Sequence, residues 1–375
     1  CFWPSLLCPY YPGLHYPRLT TLAFIMFRRR FCYWLLAIIS TLSVTACNSS
    51  TLQTTESSTD CQIVSHVLGS TEVCGRPEKI VVLDAHSLDL LLSLGKQPAG
   101  TMTMLPSRSD VVEQPSIAIP YIGDYITTQP ISIGNLGTEP SLEKLTALKP
   151  DLIVGEAASV EAVYETLSQI APTVSLDIRS HEDKWQDNLR TLAQAIGEQA
   201  IAEKAIEDIR QQIAAIRTDL APVLAEHPKV LVITAAGFTN GTFQVITSES
   251  FIGGILEDIG FELVFPPEST TNAVLLSIEA LPDMDEADSV LILGFNRSLP
   301  QTDLKDLDAQ KVEEAVQQQS SGAKQEWESN GIAQSLRASQ EGRVYFTTFY
   351  EWNIFIRPLG IDLILQQLRQ FLLTS

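Results

Sequence analysis

Ser141-Leu142-Glu143-Lys144-Leu145 leads into Asp151-Leu152-Ile153-Val154-Gly155, and Ser277-Ile278-Glu279-Ala280-Leu281 leads into Asp288-Ser289-Val290-Leu291-Ile292-Leu293-Gly294. Each copy carries a serine suited to capping free backbone N–H groups and a glutamate suited to the positive end of a helix. A short helix, an aspartate and an apolar run ending in glycine complete it. The run predicts a buried parallel strand. Copies this far apart do not belong to a short-period solenoid. They predict two similar α/β lobes in one chain, with a cleft between them as a place to hold a ligand.

The flanking segments fill out such lobes. Residues 79–84 predict a first buried strand, followed by His86-Ser87 and an apolar helix over 88–94 stopped by Gly95. Open α/β sheets bind ligands at such C-terminal strand ends. Residues 97–102 read as a second strand and 106–130 as a long loop with Arg108, Tyr121 and Tyr125. A helix over 160–170 and a strand over 173–177 complete the lobe. Residues 185–196 and 198–220 are helical. In the second stretch Ile201, Ala205, Ile209, Ile213, Ile216 and Leu220 form a stripe at helical spacing. At 1.5 Å per residue that helix runs about 35 Å, enough to cross from one lobe to the next. Pro222 ends it.

The second lobe restarts with a strand over 229–234, a loop over 235–242, a strand over 243–246 and a helix opening at 248–250. After the second copy, 296–330 is polar and Gln-rich. Residues 343–347 read as a last strand, 349–358 as an aromatic loop and 359–373 as a terminal helix. The expected organisation is an N-terminal α/β lobe over 61–182, linking helices over 183–226 and a C-terminal α/β lobe over 227–375.

Ahead of the lobes, Met26 opens an export signal: Arg28-Arg29-Arg30, an apolar stretch over 31–44, then Val44-Thr45-Ala46-Cys47. The stretch is shorter than the roughly 20 apolar residues that span a bilayer comfortably. Small residues before a cysteine resemble the bacterial lipobox, in which that cysteine is lipidated, so 26–46 read as a lipoprotein signal peptide and Cys47 as the lipid site. The alternative is an uncleaved anchor with a chance cysteine. Residues 1–25 read as an artefact upstream of the gene start, and 47–60, rich in Ser and Thr, as a flexible tether. Cleavage before Cys47 leaves 21 basic and 45 acidic groups, a net of −24. Such a surface disfavours nucleic acid and anionic membrane, and an anionic ligand needs a local basic patch.

The remaining cysteines, Cys61 and Cys74, are expected to pair in an exported compartment. A bridge over so short a loop stabilises by about 3 kcal/mol. A simple two-residue turn at Gly69-Ser70 would put Cys74 opposite Ser65, so the bridge then needs a bulge or a curling end.

No catalytic motif is present: no Gly-x-Ser-x-Gly elbow, no phosphate-cradling glycine loop, no His-Glu-x-x-His. Asp84 and His86 near a strand end read as a turn aspartate and a histidine at a helix start. His66, His86, His181 and His227 are scattered, which argues against a direct transition-metal site. Predicted strand-end loops instead supply aromatic and polar groups. Tyr121 and Tyr125 stand in the first lobe; Phe238, Asn240 and Phe243 follow the first strand of the second. Phe349, Tyr350, Trp352 and Phe355 follow its last, with Arg357 just beyond. Flat aromatics with an arginine suit a bulky, partly apolar anion.

With these residues in view, the chain resembles the type III substrate-binding proteins of bacterial ABC importers, specifically ferric-siderophore-binding lipoproteins. The resemblance runs from about Cys61 to the C-terminus. It rests on Pro77-Glu78-Lys79-Ile80-Val81-Val82-Leu83, Leu148-Lys149-Pro150-Asp151-Leu152-Ile153, Ser250-Phe251-Ile252-Gly253-Gly254-Ile255-Leu256 and Gly342-Arg343-Val344-Tyr345-Phe346. It implies two Rossmann-like lobes with mainly parallel sheets, joined by one long helix. It also implies a non-enzymatic, monomeric, lipid-anchored protein on the periplasmic side of the envelope, delivering its ligand to a permease dimer. Glu143 and Glu279 match the family's permease-docking glutamates. Arg357 falls in a Trp-x-x-x-x-Arg-Pro stretch where similar proteins often place a ligand-facing arginine.

The expected ligand residues are Arg357, Trp352, Tyr350, Tyr125, Tyr121, Arg108, Phe238, Asn240 and His86, with no resident metal or cofactor, the iron arriving inside the ligand. Cobalamin and haem are competing ligands within the class. An envelope α/β hydrolase is a second alternative, lacking a nucleophile–base pair. A non-transport adhesion or signalling module is a third, against which the paired glutamates argue.

Overall fold

The computed structural model describes residues 60–103, 121–135, 138–178, 185–236, 238–295, 309–354 and 358–373. It opens on a hairpin, β1 (Cys61–His66) and β2 (Gly69–Cys74). The register pairs His66 with Gly69 and Cys61 with Cys74, so the turn is Val67-Leu68 and not Gly69-Ser70. That two-residue shift puts the cysteines directly opposite each other, Cα atoms 3.9 Å apart, and they are bridged without a bulge. The turn sits there because Leu68 packs into an apolar cluster of the first lobe while its N–H donates to His66 Nδ1 at 3.3 Å. Gly69 then takes a φ of 137°, open to glycine alone.

The first lobe follows as β3 (Ile80–Val82), α1 (Ala85–Ser93), β4 (Gly100–Thr103), β5 (Ile131–Asn135), α2 (Leu142–Leu148), β6 (Leu152–Glu156), α3 (Ala157–Val160), α4 (Tyr164–Ile170) and β7 (Thr173–Leu176). The strands lie in the order β5-β4-β3-β6-β7, and every pairing is parallel. β3 and β6 are buried throughout, as their unbroken apolar runs predict. In this order the connections diverge between β3 and β6, and such a switch point opens a crevice at the strand ends.

Two residues of the repeated phrase have clear local work here. Ser141 caps α2, its Oγ accepting the Lys144 N–H at 3.3 Å. Asp151 accepts the N–H groups of Glu78 and Lys79 at 3.1 and 2.8 Å, tying the start of β6 to the start of β3.

Three helices carry the chain across: α5 (Trp185–Ile196), α6 (Gln199–Asp219) and α7 (Ala221–Glu226). α6 is the expected long helix. Ala202, Ile209 and Ile216 are buried, whereas Ile201 at the start of the expected stripe stays 41% exposed.

The second lobe comprises β8 (Lys229–Thr234), β9 (Thr242–Ile246), α8 (Phe251–Ile259), β10 (Glu262–Leu263), β11 (Ala273–Ser277), β12 (Ser289–Gly294), α9 (Ala309–Ser329), α10 (Gly331–Ser335), α11 (Arg337–Gln340), β13 (Val344–Thr348) and α12 (Pro358–Leu373). Its sheet runs β11-β9-β8-β12-β13, with β10 paired to the start of β8. β8, β10, β12 and β13 run parallel, β9 runs antiparallel to β8, and β11 antiparallel to β9.

Asp288 repeats the work of Asp151, accepting the Lys229 N–H at 2.9 Å at the start of β8. The serine does not repeat. Residues 278–284 form a 3-10 turn interrupted by Pro282, and the Ser277 hydroxyl bonds the Glu279 carboxylate instead of a backbone N–H. Proline in the second turn supplies no helical N–H, so the expected α-helix does not form. The largest apolar cluster is continuous from α1 through α6 to α8 and α12, joining both lobes.

Candidate functional site

At the lobe-one switch point the chain leaves β3 through Asp84 and enters α1. Asp84 caps that helix: the Ser87 N–H donates to Oδ1 and the Ser87 hydroxyl to Oδ2, both at 2.7 Å. The Glu156 N–H donates to the same Oδ2 at 2.7 Å, tying the end of β6 to that of β3. Burial pushes the Asp84 carboxyl above its usual range and the Glu156 carboxylate pushes the same way, against His86 and the Ser87 donors. His86, in the first turn of α1, lies with Nδ1 3.2 Å from Glu156 Oε2, and the Ser159 hydroxyl donates to Oε1 at 3.2 Å. Ligand atoms of Asp84, His86 and Glu156 lie within 4.8 Å of one another, a spacing that suits a metal ion. Both Asp84 oxygens are already committed to its helix and strand, which makes that residue a scaffold.

The matching edge of the second lobe is aromatic. Phe295 follows the last residue of β12, and its ring centroid lies 4.8 Å from that of Phe349 and 6.1 Å from that of Tyr350, just past β13. Residues 350–354 form a π-helical turn. Its Glu351 is buried and accepts from the hydroxyls of Thr347 and Thr348 at 2.8 and 3.0 Å. Burial raises the Tyr350 phenol above its usual pKa.

Between the lobes runs a groove of about 470 Å³. Tyr121, Ile122, Asp124 and Tyr125 form its lobe-one wall; Leu359, Gly360, Asp362, Leu363 and Gln366 of α12 form the other. Tyr125 is half exposed there, and the Tyr121 hydroxyl accepts from Gln317 Nε2 of α9 at 3.1 Å. These walls carry two carboxylates and no cation among the described residues.

Tyr121 and Tyr125 therefore share one groove, and His86 stands at the lobe-one strand end. Two other expected ligand residues are packed away. Trp352 is wholly buried, its indole N–H donating to Gln367 Oε1 at 2.6 Å, so it holds the 350–354 turn against α12. Phe238 is buried against Trp327, ring centroids 5.7 Å apart, on the sheet face remote from α6. Their apolar area is worth more in the core than in a loop. Tyr350 is largely buried beside Phe295, and Asn240 is exposed. Glu143 and Glu279 are both exposed. Arg357, Arg108 and Cys47 lie outside the described residues.

Sequence reasoning missed Glu156 and Phe295. Each directly follows the glycine that closes one copy of the repeat, so extending the alignment of the copies by one residue would have pointed to both. No helix among the described residues is long and apolar enough to cross a membrane.

Residues 80–351 match the model of one family, described as periplasmic binding protein. A Bacillus subtilis protein named "Probable siderophore-binding lipoprotein YfiY" is 28% identical, over 66% of this chain and 74% of its own. The Fe(3+)-citrate-binding protein YfmC of the same organism is 26% identical, over 85% of this chain and 89% of its own. Among solved structures, Staphylococcus aureus SirA complexed with staphyloferrin B superposes with a TM-score of 0.65 at 24% identity. That match covers 83% of this chain and 98% of SirA, and shows that the fold is shared.

Proposed function

We propose that this chain, which belongs to the periplasmic binding protein family, captures a ferric siderophore between its lobes and delivers it to an ABC permease. The observation that carries the reading is the inter-lobe groove, lined from both lobes. Relatives named for siderophore and ferric citrate binding supply the ligand class. Cys47 is the proposed lipid anchor on the periplasmic side, and Glu143 and Glu279, one per lobe, the permease contacts.

The described walls of the groove are acidic, so the cation needed by an anionic ferric complex falls to Arg357, with Arg108 as the second candidate. Arg357→Ala is expected to weaken binding by about 1.5–3 kcal/mol, the range for a hydrogen bond to a charged group. Calorimetric titration of both proteins with ferric citrate, a citrate–hydroxamate siderophore, a catecholate siderophore, haem and cobalamin tests this. The reading requires wild type to bind a ferric complex and the variant to bind it more weakly. Equal affinities would remove Arg357 from the site, and binding of haem or cobalamin alone would overturn the siderophore assignment.

A further inference from the structure

Asp89 lies in the middle of α1 and is wholly buried. A buried carboxylate has to be compensated by donors or by opposite charge. One donor comes from the other lobe: the Leu359 N–H reaches Asp89 Oδ1 at 3.2 Å. α12 begins at Pro358, which has no N–H, so Leu359 offers the first unpaired donor of that helix. The positive end of a 16-residue helix therefore rests on a carboxylate supplied from 270 positions away. The caps of α1, α2, α8 and α10 are local by comparison, given by Asp84, Ser141, Ser250 and Asn330.

The capped turn matters because Leu359 and Gly360 line the lobe-two wall of the groove. The opposite wall has its own tie, the Tyr121–Gln317 hydrogen bond. Tyr121 accepts a positive φ of 60° there, a conformation a non-glycine residue keeps only when its surroundings impose it.

We propose that Asp89 is a positioning residue for ligand capture. By capping α12 from lobe one, it sets the spacing of the groove walls. Separating the lobes uncaps the helix, so opening is resisted. The ligand role rests on the proposed function, whereas the coupling between lobes does not.

Hydrogen exchange on the purified, ligand-free protein tests the coupling directly. Asp89→Ala and Asp89→Leu remove the acceptor, and the second keeps the volume filled. Asp89→Asn keeps a carbonyl oxygen that accepts from Leu359. Amides at 359–361 are expected to exchange about tenfold faster or more in Asp89→Ala and Asp89→Leu, and within about twofold of wild type in Asp89→Asn. The lobe-one wall should follow, read at the Ile126 N–H, which is bonded to the Gly123 carbonyl at 3.0 Å. Unchanged exchange at 359–361, or faster exchange confined to α1 and α12 with Ile126 untouched, would overturn the proposal. Failure of wild type to bind any ferric complex would instead overturn the proposed function.

Discussion

Gly294→Ala is expected to destabilise the protein by about 3 kcal/mol or more, the upper part of the range for overpacking. A Cβ at Gly294 would lie 2.6 Å from the carbonyl carbon of Gln319 and 2.9 Å from the Ser320 nitrogen, both backbone atoms of α9. Neither can swing aside, because α9 is held along β12 and β13. The equivalent residue of the first lobe gives an internal comparison. A Cβ at Gly155 would meet Val160 Cγ1 at 2.6 Å and Leu83 Cβ at 3.2 Å, side-chain and not backbone atoms. Gly155→Ala should therefore cost less. Thermal melting reads both: Gly294→Ala should lower Tm by about 6–12 °C at 2–4 °C per kcal/mol. A Gly294→Ala melting point within about 2 °C of wild type would mean that α9 does not approach β12 this closely.

Loss of uptake with retention of binding is the expected result for the paired glutamates. Glu143 and Glu279 are exposed, and neither lines the groove. Their double replacement by alanine should leave affinity for the ferric ligand within about twofold while uptake of radiolabelled iron by cells collapses. Truncating one partner of a buried charge pair at an interface typically costs 2–5 kcal/mol, so each residue should matter alone. The supports differ, Glu143 standing on a capped α-helix and Glu279 on a 3-10 turn at the end of edge strand β11. Normal uptake in the double variant would remove the docking role, and loss of ligand binding would move the glutamates into the site.

The repeat made most of the fold legible because its residues act locally. Asp151 and Asp288 bond to backbone at the start of the neighbouring central strand, and the apolar runs beyond them are long enough to require burial from both faces. Strand direction was less legible. Nothing in the Phe243–Ile246 stretch distinguishes an antiparallel β9 from a parallel strand, since direction is decided by the tight connection from β8 through residues 235–241. Ser277 misled because a capping serine needs a helix to cap, and Pro282 removes it from five positions away.

The aromatic loop misled for a different reason. Trp352 and Phe238 are strand-end aromatics like Phe295, and only tertiary packing distinguishes a ring that fills the core from one at a crevice. Asp89 gave no signal at all, because its partner is a backbone N–H in the last helix.

Native mass spectrometry of the protein purified from iron-starved cells decides whether the chain carries a ferric chelate. The expected result is a holo species heavier than the apo chain by one ferric chelate, released intact on gentle activation and carrying iron in the bound mass. Recovery with haem or cobalamin, or as an apo chain that ferric complexes added afterwards leave unchanged, would contradict it.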